Sequence, residues 1–149
     1  MSSYPPPFDH PFGTRIDRDA LAQRLEAAAG WEAKNRLLVQ LARELPPLPD
    51  ALRTDEHRVA GCESTAWLVI GRQEGRLLAA ADSDSRIVKG LLALLLTAYH
   101  GHTPAELAGF DFEAWLVSLG LQRFLTTSRG NGLRAMSRMI REAIAEFSH

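Results

Sequence analysis

The sequence predicts an α+β fold, a small antiparallel β-sheet flanked by helices. Three observations lead there. Residues 65–81 form one strand-like block, with Trp67, Leu68, Val69 and Ile70 before a Gln73-Glu74-Gly75 turn and a second apolar run after it, which reads as a β-hairpin. On both sides of that block apolar residues recur at helical spacing between capping residues and glycine or proline stops. A chain of 149 residues, 46% hydrophobic and 23% charged, is long enough to bury one core without disulfides, so residues 1–149 are expected to form a single domain.

Residues 1–14 hold Pro5, Pro6, Pro7, Pro11 and Gly13, which favour extended backbone and remove donors, so a largely irregular arm is expected. His10, Pro11 and Phe12 are placed to dock on the domain. Asp17 predicts the N-cap of a helix over 18–29, with Leu21 and Leu25 inward and Gly30 as its stop. A second helix runs from Trp31 through Leu38 and Leu41 to Leu45, where Pro46 and Pro47 end it. The hairpin pairs residues 65–72 with 76–81. A nearly all-apolar helix follows over 85–99, with Asp82 and Ser83 offering its cap. Thr103-Pro104-Ala105-Glu106 is a capping box with proline at the first helical position, opening a short helix that stops near Gly109. Asp111 caps another, through Trp115 to Leu119, ended by Gly120. After Gly132 a last helix puts Leu133, Met136, Ile140, Ala143 and Phe147 on one side and Arg134, Arg138 and Arg141 on the other. That arginine stripe reads as a solvated face with an Arg138–Glu142 pair.

Several functions are disfavoured by composition. Seventeen Lys and Arg against eighteen Asp and Glu leave a net charge of −1, so there is no bulk positive field for nucleic acid or an anionic membrane. The longest apolar run, residues 91–97, is far short of the ~20 residues that span a bilayer. The first residues lack the basic start and apolar stretch of an export signal, which makes the cytoplasm the expected location. The five histidines are scattered, and only His100 and His102 are close, too little for a metal site. No P-loop or dinucleotide fingerprint is present. Ser83, Asp84 and Ser85 are explained by helix capping.

Cys62 stands apart. As the one cysteine it can form no disulfide within the chain and, alone, no zinc or iron–sulfur site. It sits in Val59-Ala60-Gly61-Cys62-Glu63-Ser64-Thr65, after a glycine and before polar residues, rather than inside an apolar run. Gly61 permits a turn there and leaves room for another molecule. With no resolving cysteine, the chemistries left are attack on a sulfur held by another protein, or capture of a peroxide or a metal.

The chain resembles the SufE family of sulfur acceptors, and within it the CsdE-type members. The resemblance is nearly full length. It is carried by His10-Pro11-Phe12-Gly13, by Trp31, Glu32 and Lys34 running to Leu45-Pro46, and by Gly61-Cys62 with Ser64 and Trp67-Leu68. Asp82-Ser83-Asp84, Ile87-Val88-Lys89-Gly90-Leu91, Ser128-Arg129 and Gly132-Leu133 complete it. Ala81, Ala66 and Asn35 depart from the residues usual at their positions, and none of the three alters the thiol. The resemblance implies an α+β fold shared with IscU-type scaffolds. It implies that Cys62 accepts persulfide sulfur from a cysteine desulfurase of SufS/CsdA type, stimulates it, and relays the sulfur toward an iron–sulfur assembly scaffold. It implies no cofactor on this chain, the pyridoxal phosphate belonging to the desulfurase. Arg129, by its place in the motif, is the residue expected to stabilise the thiolate or persulfide, with Arg58 second. Asp82 and Asp84 are expected to cap the buried helix, fix the loop beside Cys62 and present a surface to the desulfurase. Two rival readings stand beside this one: an adaptor that activates a desulfurase by docking alone, and a single-cysteine redox sensor.

Overall fold

A computed structural model describes residues 4–60, 64–125 and 128–147, the side chains of Ser128 and Arg129 excepted. Its elements in order are α1 (Arg18–Ala27), α2 (Gly30–Glu44), β1 (Ala66–Gln73), β2 (Arg76–Ser83), α3 (Arg86–Tyr99), α4 (Pro104–Leu107), α5 (Phe112–Ser118) and α6 (Ser128–Glu146), with short 3-10 turns at 50–52 and 122–124. The predicted α+β class is what forms. β1 and β2 pair antiparallel with Ala66 opposite Ser83 and Gln73 opposite Arg76. Glu74 and Gly75, both at positive φ (53° and 76°), make the two-residue turn whose twist matches the strands it joins.

The strand period of two sorts the hairpin's side chains. Ala66, Leu68, Leu77, Ala79 and Ala81 face the main core, while Trp67 and Ala80 face a small second cluster with Leu48, flanked by Phe8 and Val69. Against the core face lies α3, which also packs on α2 and α6 and is buried from Leu91 to Tyr99. Its all-round apolar sequence is the consequence of having neighbours on every side. Among the described residues no helix is long and apolar enough to cross a membrane.

Local capping follows the sequence closely. Asp17, Thr103 with Glu106, and Asp111 each take the N–H three residues on, as their patterns predict. Three details differ. The cap of α3 is Ser85, whose hydroxyl accepts from Val88 N–H at 3.3 Å, and neither Asp82 nor Asp84 caps it: Asp82 is taken by the Leu48 and Ser83 N–H groups and the Lys89 ammonium, and Asp84 by Arg53. α6 begins four residues before Gly132, because Gly130 is not a breaker there: it lets the helix press against the backbone carbonyl of Leu125, where a Cβ would collide. Arg138 and Glu142 form no ion pair, and the carboxylate engaged on this face is Glu113, held by Arg134. Where α1 ends, Lys34 from α2 reaches back to the carbonyls of Leu25 and Ala28 at 2.9 and 3.0 Å.

The N-terminal arm is docked through two buried histidines. Ala79 on the outer edge of β2 donates its N–H to His100 Nδ1 at 3.0 Å, and its carbonyl lies 2.7 Å from His10 Nε2. The 101–102 turn satisfies Leu77 next to it, its carbonyl accepting from Gly101 N–H and its N–H donating to the His102 carbonyl. The two rings lie 4.1 Å apart, centre to centre. Burial drives the His100 pKa down to about 3, helped by the facing His10 and by His102, and burial lowers that of His10 as well. Folding therefore excludes protons that the unfolded chain binds below its ordinary histidine pKa of about 6.5. This contribution is complete above that value and is lost as pH falls toward 3, amounting to about 5 kcal/mol from His100. In His100→Asn, whose amide oxygen can still accept from Ala79, the fall in urea stability between about pH 7 and 4 should flatten. Parallel pH profiles for wild type and variant would remove the assignment.

Candidate functional site

The segment that carries Cys62 is fastened at both of its described ends. Residues 57–59 run beside the start of β1: Val59 N–H donates to the Ala66 carbonyl and Leu68 N–H to the His57 carbonyl, both at 2.9 Å, and Arg58 pairs with Trp67 as an antiparallel bridge. At the other end the Thr65 carbonyl accepts from the Ser83 hydroxyl at 2.8 Å and from Asp84 N–H at 3.2 Å. Gly61 and Cys62 lie outside the described residues, as does the side chain of Arg129, whose backbone is in the first turn of α6.

Arg58, Trp67 and Asp82 lie side by side across three rungs of backbone, since Trp67 faces Arg58 on one side and Asp82 on the other. Arg58 is exposed at the base of the thiol segment. Asp82 is only 2% exposed, so its carboxylate is an internal fastener and not a surface for a partner. One oxygen accepts from Leu48 N–H at 2.9 Å, and the other accepts from Ser83 N–H at 2.8 Å and pairs with Lys89 at 3.2 Å. Leu48 is the one residue of Pro46-Pro47-Leu48-Pro49 that has an N–H to give, and Asp82 takes it.

Asp84 is the surface member of the pair. Its side chain is 62% exposed and held at 2.8 Å by Arg53, whose guanidinium also covers the Trp67 ring at 4.3 Å. Arg53 thus joins the turn after Pro49, the outer face of β1 and the approach to α3. Trp67 is buried, as its strand position predicts. Sequence reasoning missed Arg53 and named Lys89 only within a motif, without its role, because their partners lie on other elements. His57 Nδ1 is 3.1 Å from the Leu52 carbonyl and therefore carries the proton in the neutral ring, leaving Nε2 as its acceptor. Among the described residues no group of three histidines, cysteines or carboxylates is arranged to hold a metal.

The arrangement is a thiol segment with rigid footings, a basic residue at its base and an exposed carboxylate at its far anchor. Residues 19–144 match the family model described as SufE, Fe-S metabolism associated domain. The chain belongs to the SufE family. The sulfur acceptor protein CsdE of Escherichia coli (strain K12) is 42% identical over 132 residues, covering 88% of this chain and 90% of that protein. The solution structure of a hypothetical protein from Thermus thermophilus shares the fold, with a TM-score of 0.65 over 87% of this chain and 97% of its own at 19% identity. In this SufE family member the residues of the Asp82-Ser83-Asp84 motif are divided by the structure into three jobs: a buried fastener, a hydroxyl on the thiol segment, and an exposed carboxylate.

Proposed function

We propose that this protein accepts persulfide sulfur on Cys62 from a cysteine desulfurase, stimulates that enzyme, and passes the sulfur toward iron–sulfur cluster assembly. The observation that carries the reading is the likeness to a sulfur acceptor protein along nearly the whole of both chains. The Cys62 thiolate attacks the outer sulfur of the donor persulfide, a new S–S bond forms, and the donor cysteine leaves as thiolate, so no oxidant or reductant is consumed. A second thiolate repeats the exchange on the Cys62 persulfide. The chain needs no cofactor of its own for this, the pyridoxal phosphate belonging to the desulfurase, and the reaction suits a reducing cytoplasm.

A thiol of ordinary pKa, about 8.5, is only slightly ionised at neutral pH, so nearby positive charge speeds the exchange. Arg58 at the base of the segment and Arg129 in the first turn of α6 are the proposed sources. Asp84 is the part of the anchor that a desulfurase can reach. Tethered footings under a short segment suit a nucleophile that must enter another protein's active site while its own domain stays folded.

The test is intact-mass spectrometry after incubation with a cysteine desulfurase and cysteine, with desulfurase turnover followed in the same tubes. Wild type should gain one sulfur atom and raise turnover, and Cys62→Ser should do neither. Stimulation retained by Cys62→Ser would replace the relay with an adaptor, and oxidation of Cys62 by peroxide without any sulfur gain would replace it with a redox sensor.

A further inference from the structure

Arg134, Arg138 and Arg141 are spaced to share one side of α6, and the structure neutralises only the first of them, on Glu113. Arg138 and Arg141 are exposed and form no ion pair among the described residues. They border a groove of about 640 Å³ between α5 and α6, lined by Glu113, Arg134 and Ser137 as well. Past Arg141 and Ala145, which line both, the groove continues into an apolar hollow of about 190 Å³ whose walls include Leu107, Phe110 and Ile144. Tyr99, at the C-terminal end of α3, forms part of that hollow, whereas the thiol segment is anchored before the N-terminal end of the same helix. The 14 residues of α3 set the two about 20 Å apart.

We propose that this groove is a second docking site, one that takes an acidic amphipathic segment of a partner protein. Carboxylates of the segment would pair with Arg138 and Arg141, whose planar guanidiniums suit bidentate pairing, and an apolar side chain would enter the hollow beside Phe110. Charge complementarity selects this occupant. The cations at the groove's edge are unmatched while the acid of its opposite wall, Glu113, is already engaged by Arg134. Glu142, on the same groove, confines the partner's acidic groups to the arginine side. Two unmatched cations beside Glu142 and Glu146, on a chain of net charge −1, neutralise too few phosphates to hold a nucleic acid. The site is separate from Cys62 and stands whether or not Cys62 carries sulfur.

The probe is a short peptide with glutamates one helical turn apart and a leucine one turn further, titrated into the isotope-labelled full chain and followed by amide NMR shifts. Shifts should be confined to residues 134–145 and 107–110, should weaken with added salt, and should be reduced about tenfold in affinity in Arg138→Glu/Arg141→Glu. Arg138→Gln/Arg141→Gln, which removes charge without reversing it, should lie between that variant and wild type. The proposal is overturned by absence of shifts at about 1 mM peptide. It is equally overturned by equal binding of a scrambled or lysine-for-glutamate peptide, by shifts centred on residues 57–67, by unaltered affinity in the glutamate variant, or by tighter binding of an RNA oligonucleotide at the same residues.

Discussion

Gly90→Ala should destabilise the protein by about 3 kcal/mol, although alanine in a helix interior is ordinarily the better residue by about 1 kcal/mol. The sign is set by where α3 crosses α2. A Cβ at position 90 would collide with the carbonyl oxygen of Leu38, and would lie 2.8 Å from that carbonyl's carbon and 2.9 Å from the Leu38 Cβ. Two of the three atoms are backbone, fixed by the hydrogen bonds of α2, so the helices must part. Residues that fill this interface, Leu38, Leu41, Leu91 and Leu94 among them, are almost wholly buried and have no slack to absorb the shift. Urea unfolding reads the effect directly, and an unchanged or raised midpoint would mean that α2 and α3 do not meet this closely in solution.

Asp82→Ala should cost about 3–5 kcal/mol, the range for removing one member of a buried charged pair. Lys89, only 17% exposed, would lose its counter-charge, and the Leu48 and Ser83 N–H groups would lose their acceptor. Asparagine is no remedy. The two oxygens of Asp82 accept from donors on opposite sides, and an amide offers one acceptor and one donor, so Asp82→Asn leaves one N–H facing an NH₂ and should cost about 1–3 kcal/mol. Adding Lys89→Met to Asp82→Ala should restore part of the loss, since it removes the stranded charge. Denaturation of the three variants checks the order, and Asp82→Ala within about 1 kcal/mol of wild type would show that the contacts carry no net stability.

The parts of this fold that the sequence discloses are those made by neighbours in the chain. Asp17, the Thr103–Glu106 box and Asp111 are legible because a cap reaches three residues on, and the hairpin is legible because its turn demands positive φ at Glu74 and Gly75. Glycine misleads where its purpose is contact between elements: the sequence predicts the last helix only after Gly132, yet it starts at Ser128 and runs through Gly130, where backbones touch. Asp82 reads as a cap, whereas its carboxylate takes the Leu48 N–H, 34 positions away, and the Lys89 ammonium. At the site, Cys62 is marked by its polar setting after a glycine. The fastenings beneath it, Arg53 on Asp84 and Trp67, Ser83 on Thr65, and residues 57–59 along β1, belong to tertiary structure and leave no local trace. The docking groove is equally hidden, because an arginine stripe on a helix gives no hint of which charges find partners until α5 brings Glu113 to one of them.

The arm's attachment to β2 bears on how the molecule behaves in a crowded solution. A lone hairpin offers open edges on which another extended chain can grow, the first step of aggregation. On β2 the outward groups of Leu77 and Ala79 are already committed to the 101–102 turn and to the two histidines, so that edge cannot be extended. A chain trimmed of its proline-rich beginning would uncover the Ala79 carbonyl, and such a species should be recognised by its tendency to polymerise before any loss of helix is seen.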